Sequence, residues 1–88
     1  MNIYQLAVAT FGSERQKKQA IEELSELSLA LIHSMSGKAT QEAVIDEIVD
    51  VIIMMRQLTE IYGEEAINKR IEYKLDRLKA RIKSGYYD

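Results

Sequence analysis

The chain has no cysteine, no proline and no tryptophan, and a single histidine among its 88 residues. Without cysteine there is neither a disulfide staple nor a thiolate metal site. A single histidine argues against a ferritin-like di-iron centre, because that centre needs Glu-x-x-His pairs on two helices. The absence of proline and the scarcity of glycine leave long stretches that nothing interrupts as helix. No stretch of about 18 uninterrupted apolar residues occurs, so no membrane-spanning helix is expected. Residues 51–55 form a short apolar run closed by Asp50 and Arg56. The N-terminus lacks a charged start followed by an apolar core, so no signal peptide is expected and the cytosol is the expected location. There is no phosphate-binding glycine loop, no dinucleotide fingerprint and no Ser-His-Asp set. A net charge of -2 gives no overall basic field, so nucleic acid is not an expected partner.

What is present is apolar and helical. Residues 1–88 are expected to form a single domain. Hydrophobic residues make up 47% of a chain too short to bury much of its own surface, so part of that surface is expected to be covered by other copies. A short helix is expected over residues 2–11, capped by Asn2 and broken by Gly12. Ser13 then suits an N-cap, with Gln16 completing a capping box, and the first long helix runs over residues 14–35. Its stripe is Ala20, Leu24, Leu27 and Leu31, widened by Ile21 and Ile32. Residues 36–40 form a loop, in which Lys38 is a solvated lysine or a phosphate contact, and Thr40 caps the second long helix, residues 41–62. That helix carries Val44, Ile48, Val51, Met55 and Leu58 on one stripe and Ile45, Val49, Ile52 and Ile53 beside it. An element apolar nearly all round is central or shared with a partner. Met54 and Met55 suit core filling. Gly63 stops the helix, and the third long helix covers residues 64–83 with Ile67, Ile71, Leu75, Leu78 and Ile82 in register. Residues 84–88 are expected to be a frayed tail, in which Tyr86 and Tyr87 could stack on a base or a neighbouring subunit. The expected fold is an all-α antiparallel bundle of three long helices plus a short N-terminal one, in an oligomer.

Two acidic clusters interrupt the apolar helices: Glu22, Glu23 and Glu26 on the first, Glu47 and Asp50 on the second. Residues three and four apart share a helix face. None of the residues at that spacing from Glu23, Glu26, Glu47 or Asp50 is basic. From Gln19 to Met55 there are seven acids and only Lys38 to set against them, so the acids face one another and raise one another's pKa. A hard divalent cation held by carboxylate oxygens would remove that penalty. Solvated helix acids are the ordinary alternative for either cluster alone. His33, near the end of the first long helix, suits a surface position or a partner of the helix dipole.

Glu22-Glu23-x-x-Glu26 followed by Glu47-x-x-Asp50 resembles the E-E-x-x-E…E-x-x-D signature of the MazG-like all-α nucleoside triphosphate pyrophosphohydrolases. The resemblance extends over residues 16–81. It implies hydrolysis of a nucleoside triphosphate between the α and β phosphates, giving a monophosphate and pyrophosphate. It implies Glu23, Glu26, Glu47 and Asp50 as ligands of Mg²⁺, with Mn²⁺ a possible substitute. Glu22 is then either a ligand of a second cation or the group that positions or deprotonates the water. The resemblance also implies a homodimer or homotetramer with the site near the subunit interface.

The basic residues concentrate at the other end, eight of the 12 falling from Arg56 onward. Lys74, Arg77 and Arg81 lie three and four apart beside the apolar stripe of the last helix. Lys74 matches the lysine that contacts substrate phosphates in the resembling family, and Arg77 the arginine near it. Glu72 occupies the region where that family commonly carries asparagine. A solvated face paired with Glu72 and Asp76 is the ordinary reading of this ridge. Gln16 and Gln19, one turn apart and just before Glu23, are candidate contacts to a base or sugar, or polar residues on a surface turn. The alternative to an enzyme is a non-catalytic helical module that oligomerises or regulates and needs no metal.

Overall fold

The structure is a computed structural model, and it describes residues 1–85. Those residues form four helices: α1 (Ile3–Phe11), α2 (Ser13–Met35), α3 (Gln41–Tyr62) and α4 (Glu64–Ser84). The expectations for Tyr86 and Tyr87 lie outside the described residues.

The helix ends follow from local chemistry. Asn2 Oδ1 accepts from the Gln5 N–H at 2.9 Å, and Gln5 Oε1 accepts in return from the Asn2 N–H at 2.9 Å. That reciprocal pair satisfies two donors at the start of α1. Thr40 Oγ1 caps α3 by accepting from the Ala43 N–H at 3.1 Å. The expected Ser13 cap is corrected: Ser13 is the first residue of α2, Gly12 precedes it, and no side chain caps that end. Gly12 at φ 89° and Gly63 at φ 105° each turn one helix directly into the next, in a region that costs a residue with a Cβ. Gly63 closes α3 through its N–H to the Thr59 carbonyl at 2.9 Å, while its own carbonyl accepts from the Ile67 N–H at 3.1 Å. Glu64 and Glu65 open α4 and Arg81 and Lys83 close it, each sign at the end the helix dipole favours. α4 extends through Ser84, with Gly85 in the left-handed conformation as its cap, so the expected fraying at Ser84 is not seen.

α2 and α3 pair along their lengths, joined by the short loop after Met35. The pairing is antiparallel: Gln16 meets Gln57 across it at one end, and Ala30 and Ala43 line one cavity at the other. α1 rests on α3 and touches α2. There Arg56 Nη1 donates to Tyr4 Oη at 3.1 Å, and its guanidinium lies 5.5 Å from the Tyr4 ring centroid. Lys17 of α2 reaches the ring of Tyr62 at 5.2 Å, tying the start of α2 to the end of α3.

α4 touches only α3. Within one chain, then, the third long helix does not close a bundle on the other two. The radius of gyration is 16.0 Å, against about 12 Å for a compact chain of this length. The apolar interior is correspondingly small. Ala20 and Met54 are buried at 3% and 4% exposure, together with Gln16 and Gln57. Leu24, Leu31, Ile21 and Ile32 of the expected α2 stripe are exposed, as are Ile45, Ile48 and Ile52 of α3 and Ile71, Leu75 and Ile82 of α4. Their periodicity marks faces that could be buried; this one chain supplies nothing to cover them.

Candidate metal centre

α2 and α3 face each other along a line of buried and half-buried residues, with glutamine at one end and glutamates farther along it. On α2 the line runs through Gln16, Ala20, Glu23 and Leu27, at spacings of four, three and four. On α3 it runs through Glu47, Val51, Met54 and Leu58. Glu23 and Glu47 are both half-buried. Carboxylate oxygens of Glu23, Glu26 and Glu47 all lie within 4.8 Å of one another. Asp50 and Glu22 are exposed and stand outside this triad. A step of three residues turns 60° short of a full circle, which carries Asp50 off the line of contact that Glu47 occupies.

The polar partners around the triad are few. Gln19 Nε2 donates to Glu23 Oε1 at 3.0 Å. The other oxygen of that carboxylate, Oε2, is buried without a partner, and so is Oε2 of Glu47. Two orphaned carboxylate oxygens, on two helices, at one place, carry an unmet demand for positive charge or a donor. The Glu26 carboxyl is pushed above the ordinary glutamate range, first by the Glu23 charge, then by loss of hydration, then by Glu47 and Glu22. The donor set of hard oxygens, with no nitrogen or sulfur in it, fits Mg²⁺ or Mn²⁺.

A cavity of about 270 Å³ opens beside the triad, lined by Glu26, Leu29, His33, Ala39, Ala43 and Glu47 among others. His33 thus borders the acidic site. The signal was available in its spacing from Glu26, since seven residues make two turns and return a side chain to the same face.

Both glutamines have side-chain partners within the chain. Gln16 is 7% exposed, and its amide donates to Gln57 Oε1 at 2.6 Å in the interior, so it sits between helices and not on a surface turn. Gln57 in turn donates weakly to the Ile53 carbonyl at 3.4 Å. Gln19 holds Glu23. The cue for Gln16 was its register with Ala20, Glu23 and Leu27; that Gln57 meets it had no local signal.

The basic ridge stands apart from the acids. Lys74, Arg77 and Arg81 line a groove on α4, and α4 has no contact with α2. Among the described residues the ion pairs are Lys17–Glu14 at 3.7 Å and Lys69–Glu65 at 3.4 Å. Glu72 and Asp76 make no ion pair with the ridge among the described residues. Arg77 and Arg70 lie instead over the ring of Tyr73, at 5.9 and 4.3 Å. Lys38 is exposed in the α2–α3 loop. Compared with protein-family models, curated proteins and solved structures, the chain matches none.

Proposed function

We propose that the chain is a magnesium-dependent nucleoside triphosphate pyrophosphohydrolase of the MazG-like type. It adds water across the α–β phosphoanhydride bond and releases a nucleoside monophosphate and pyrophosphate. The observation that carries this reading is the pair of buried, unpartnered oxygens on Glu23 and Glu47, within one triad with Glu26. A divalent cation bound there would neutralise phosphate charge and acidify a water.

The chain's own residues divide the remaining work. Glu23, Glu26 and Glu47 offer the oxygen ligands, and Asp50, one turn along α3 from Glu47, is a further one. Glu22 remains for a second cation or for positioning or deprotonating the water. Gln19 holds the Glu23 carboxylate by one oxygen and so leaves the other free to ligate. Lys74 and Arg77 carry unpaired positive charge suited to the substrate phosphates. In this reading the chain acts as a single domain, in the cytosol, as a homodimer or homotetramer whose assembly completes the bundle that one chain leaves open.

The test is pyrophosphate release from a panel of canonical and modified nucleoside triphosphates, with Mg²⁺, with Mn²⁺ and with EDTA. Release that needs the metal and yields a monophosphate supports the proposal. The exposed apolar side chains of all four helices favour a second reading, a non-catalytic oligomeric interaction module. Glu23→Ala and Asp50→Ala separate the two: a module tolerates both changes, whereas the hydrolase loses activity while staying folded.

A further inference from the structure

The chain-wide charge of -2 conceals how the charges are sorted. Residues 1–63 hold nine acids against five Lys and Arg. α4 reverses the balance, with seven Lys and Arg against four acids. Each residue of a helix turns about 100°. On that count Arg70, Lys74, Arg77 and Arg81 fall within an arc of about 60°, and every acid of α4 lies about 80° or more outside it. The arc runs about 16 Å along the helix. All four side chains are exposed, and none makes an ion pair among the described residues.

One aromatic stands at the edge of this face. Tyr73 is 48% exposed, and the guanidinium groups of Arg70 and Arg77 lie 4.3 and 5.9 Å from its ring centroid. An exposed ring flanked by arginines offers a flat surface on which a base stacks, while the neighbouring positive charges take the phosphates. A row of charges alone would suit any polyanion. The ring among them selects one that carries flat, unpaired bases. The exposed apolar stripe of Ile71, Leu75 and Ile82 would suit a different occupant, an anionic membrane surface. The far flank of that stripe argues against it. There Glu72 and Asp76 alternate with Lys79 and Lys83, so a helix lying on its stripe would hold two carboxylates against anionic headgroups.

We propose that α4 binds single-stranded nucleic acid along Arg70, Tyr73, Lys74, Arg77 and Arg81. The four basic side chains contact phosphates and a base stacks at Tyr73. DNA and RNA serve alike, since phosphates and base planes are common to both. The acidic remainder of the chain repels the strand elsewhere and confines it to α4. This binding does not rest on hydrolysis at the triad: Arg70, Tyr73 and Arg81 have no part there, and only Lys74 and Arg77 are common to the two.

The test is fluorescence anisotropy of labelled oligo-dT and oligo-U, each about 16 nucleotides long, titrated with the full chain from about 50 to 200 mM salt. EDTA is present throughout, so binding is read apart from metal-dependent hydrolysis. Both strands are expected to bind, with log Kd rising against log salt at a slope of about 3, the value for four phosphate contacts on a single strand. Arg70→Ala/Arg81→Ala should bring that slope down to about 1.4. Tyr73→Ala should weaken binding about 5–100-fold and leave the slope unchanged. Helical circular dichroism equal to wild type shows that the variants are folded. No binding by the folded wild type, or a slope untouched by Arg70→Ala/Arg81→Ala, overturns the proposal. A duplex bound as tightly as the single strands, or Tyr73→Ala without effect, leaves a face that senses charge alone and overturns it as well. Vesicles containing phosphatidylserine that bind the chain when neither oligonucleotide does would assign the face to a membrane instead. None of these outcomes bears on pyrophosphate release, which the hydrolase reading must answer by itself.

Discussion

Gln19 donates to Glu23 Oε1 at 3.0 Å, while Oε2 of the same carboxylate is buried with no partner. The amide holds the carboxylate by one oxygen and leaves the second without a partner, in a residue grouped with Glu26 and Glu47. Gln19→Ala removes that support without removing a ligand. Losses of about 10–100-fold in metal affinity are usual when such a support is deleted. Titration of the variant with Mn²⁺, followed by electron paramagnetic resonance, should show a loss in that range with the helical circular dichroism unchanged. An affinity equal to wild type would show that Gln19 does not position the ligand.

Glu47 gives the clearest separation of stability from function. Its unpartnered oxygen costs free energy in the metal-free protein, and an amide can donate to the Glu23 or Glu26 carboxylate where a carboxylate cannot. Glu47→Gln should therefore raise the metal-free unfolding free energy, by up to about 1 kcal/mol, and remove the stabilisation by Mg²⁺ that the proposed site predicts for wild type. Urea unfolding with and without the metal reads both effects. A variant that is less stable without metal than wild type would mean the carboxylate is already satisfied.

Glu26 makes the stability depend on pH with a definite sign. Its carboxyl is held above the ordinary range, chiefly by Glu23. A raised folded-state pKa favours the protonated form, so the stability it contributes is full below the ordinary glutamate value and is lost as pH rises through the raised one. Glu26→Gln cannot titrate at this position. In EDTA, the unfolding midpoint of wild type should fall relative to Glu26→Gln as pH rises from acid toward neutral. Saturating Mg²⁺ should reverse that trend, because a cation favours the ionised form. Wild type gaining on the variant with rising pH in EDTA would contradict the repulsion at the triad.

Gln16 and Gln57 form a buried polar pair in an otherwise small apolar contact. Gln57→Ala leaves the Gln16 donor unpaired and should cost about 1–3 kcal/mol. Replacing both by leucine removes the demand and should recover most of that loss, read by urea unfolding of the two variants. Equal losses in the single and double variants would assign the cost to packing instead of the hydrogen bond.

These residues also mark where the sequence is informative. Helix ends were legible because they are set locally: the Asn2 and Thr40 caps and the turns at Gly12 and Gly63 need only neighbouring residues. Even there Ser13 misleads, since a serine that begins a helix and one that caps it look alike until the backbone is seen. The triad was legible in part. Acids without basic partners at helical spacing point to Glu23, Glu26 and Glu47, but spacing alone cannot tell which of Glu47 and Asp50 lies on the line between helices. The pairing of Gln16 with Gln57, 41 positions apart, depends on the register of two helices. The apolar stripes were visible as patterns. What covers Ile71, Leu75 and Ile82 depends on the assembly, which a single chain does not contain.

The proposed hydrolase cleaves nucleoside triphosphates in a metal-dependent reaction at the carboxylate triad. Its most direct test is pyrophosphate release by wild type and by Glu47→Gln, each with Mg²⁺ and with EDTA. The expected result is release of pyrophosphate and a nucleoside monophosphate by wild type with Mg²⁺, abolished by EDTA and by the substitution. A folded wild type that releases no pyrophosphate from any nucleotide, or one whose release survives Glu47→Gln, would contradict it.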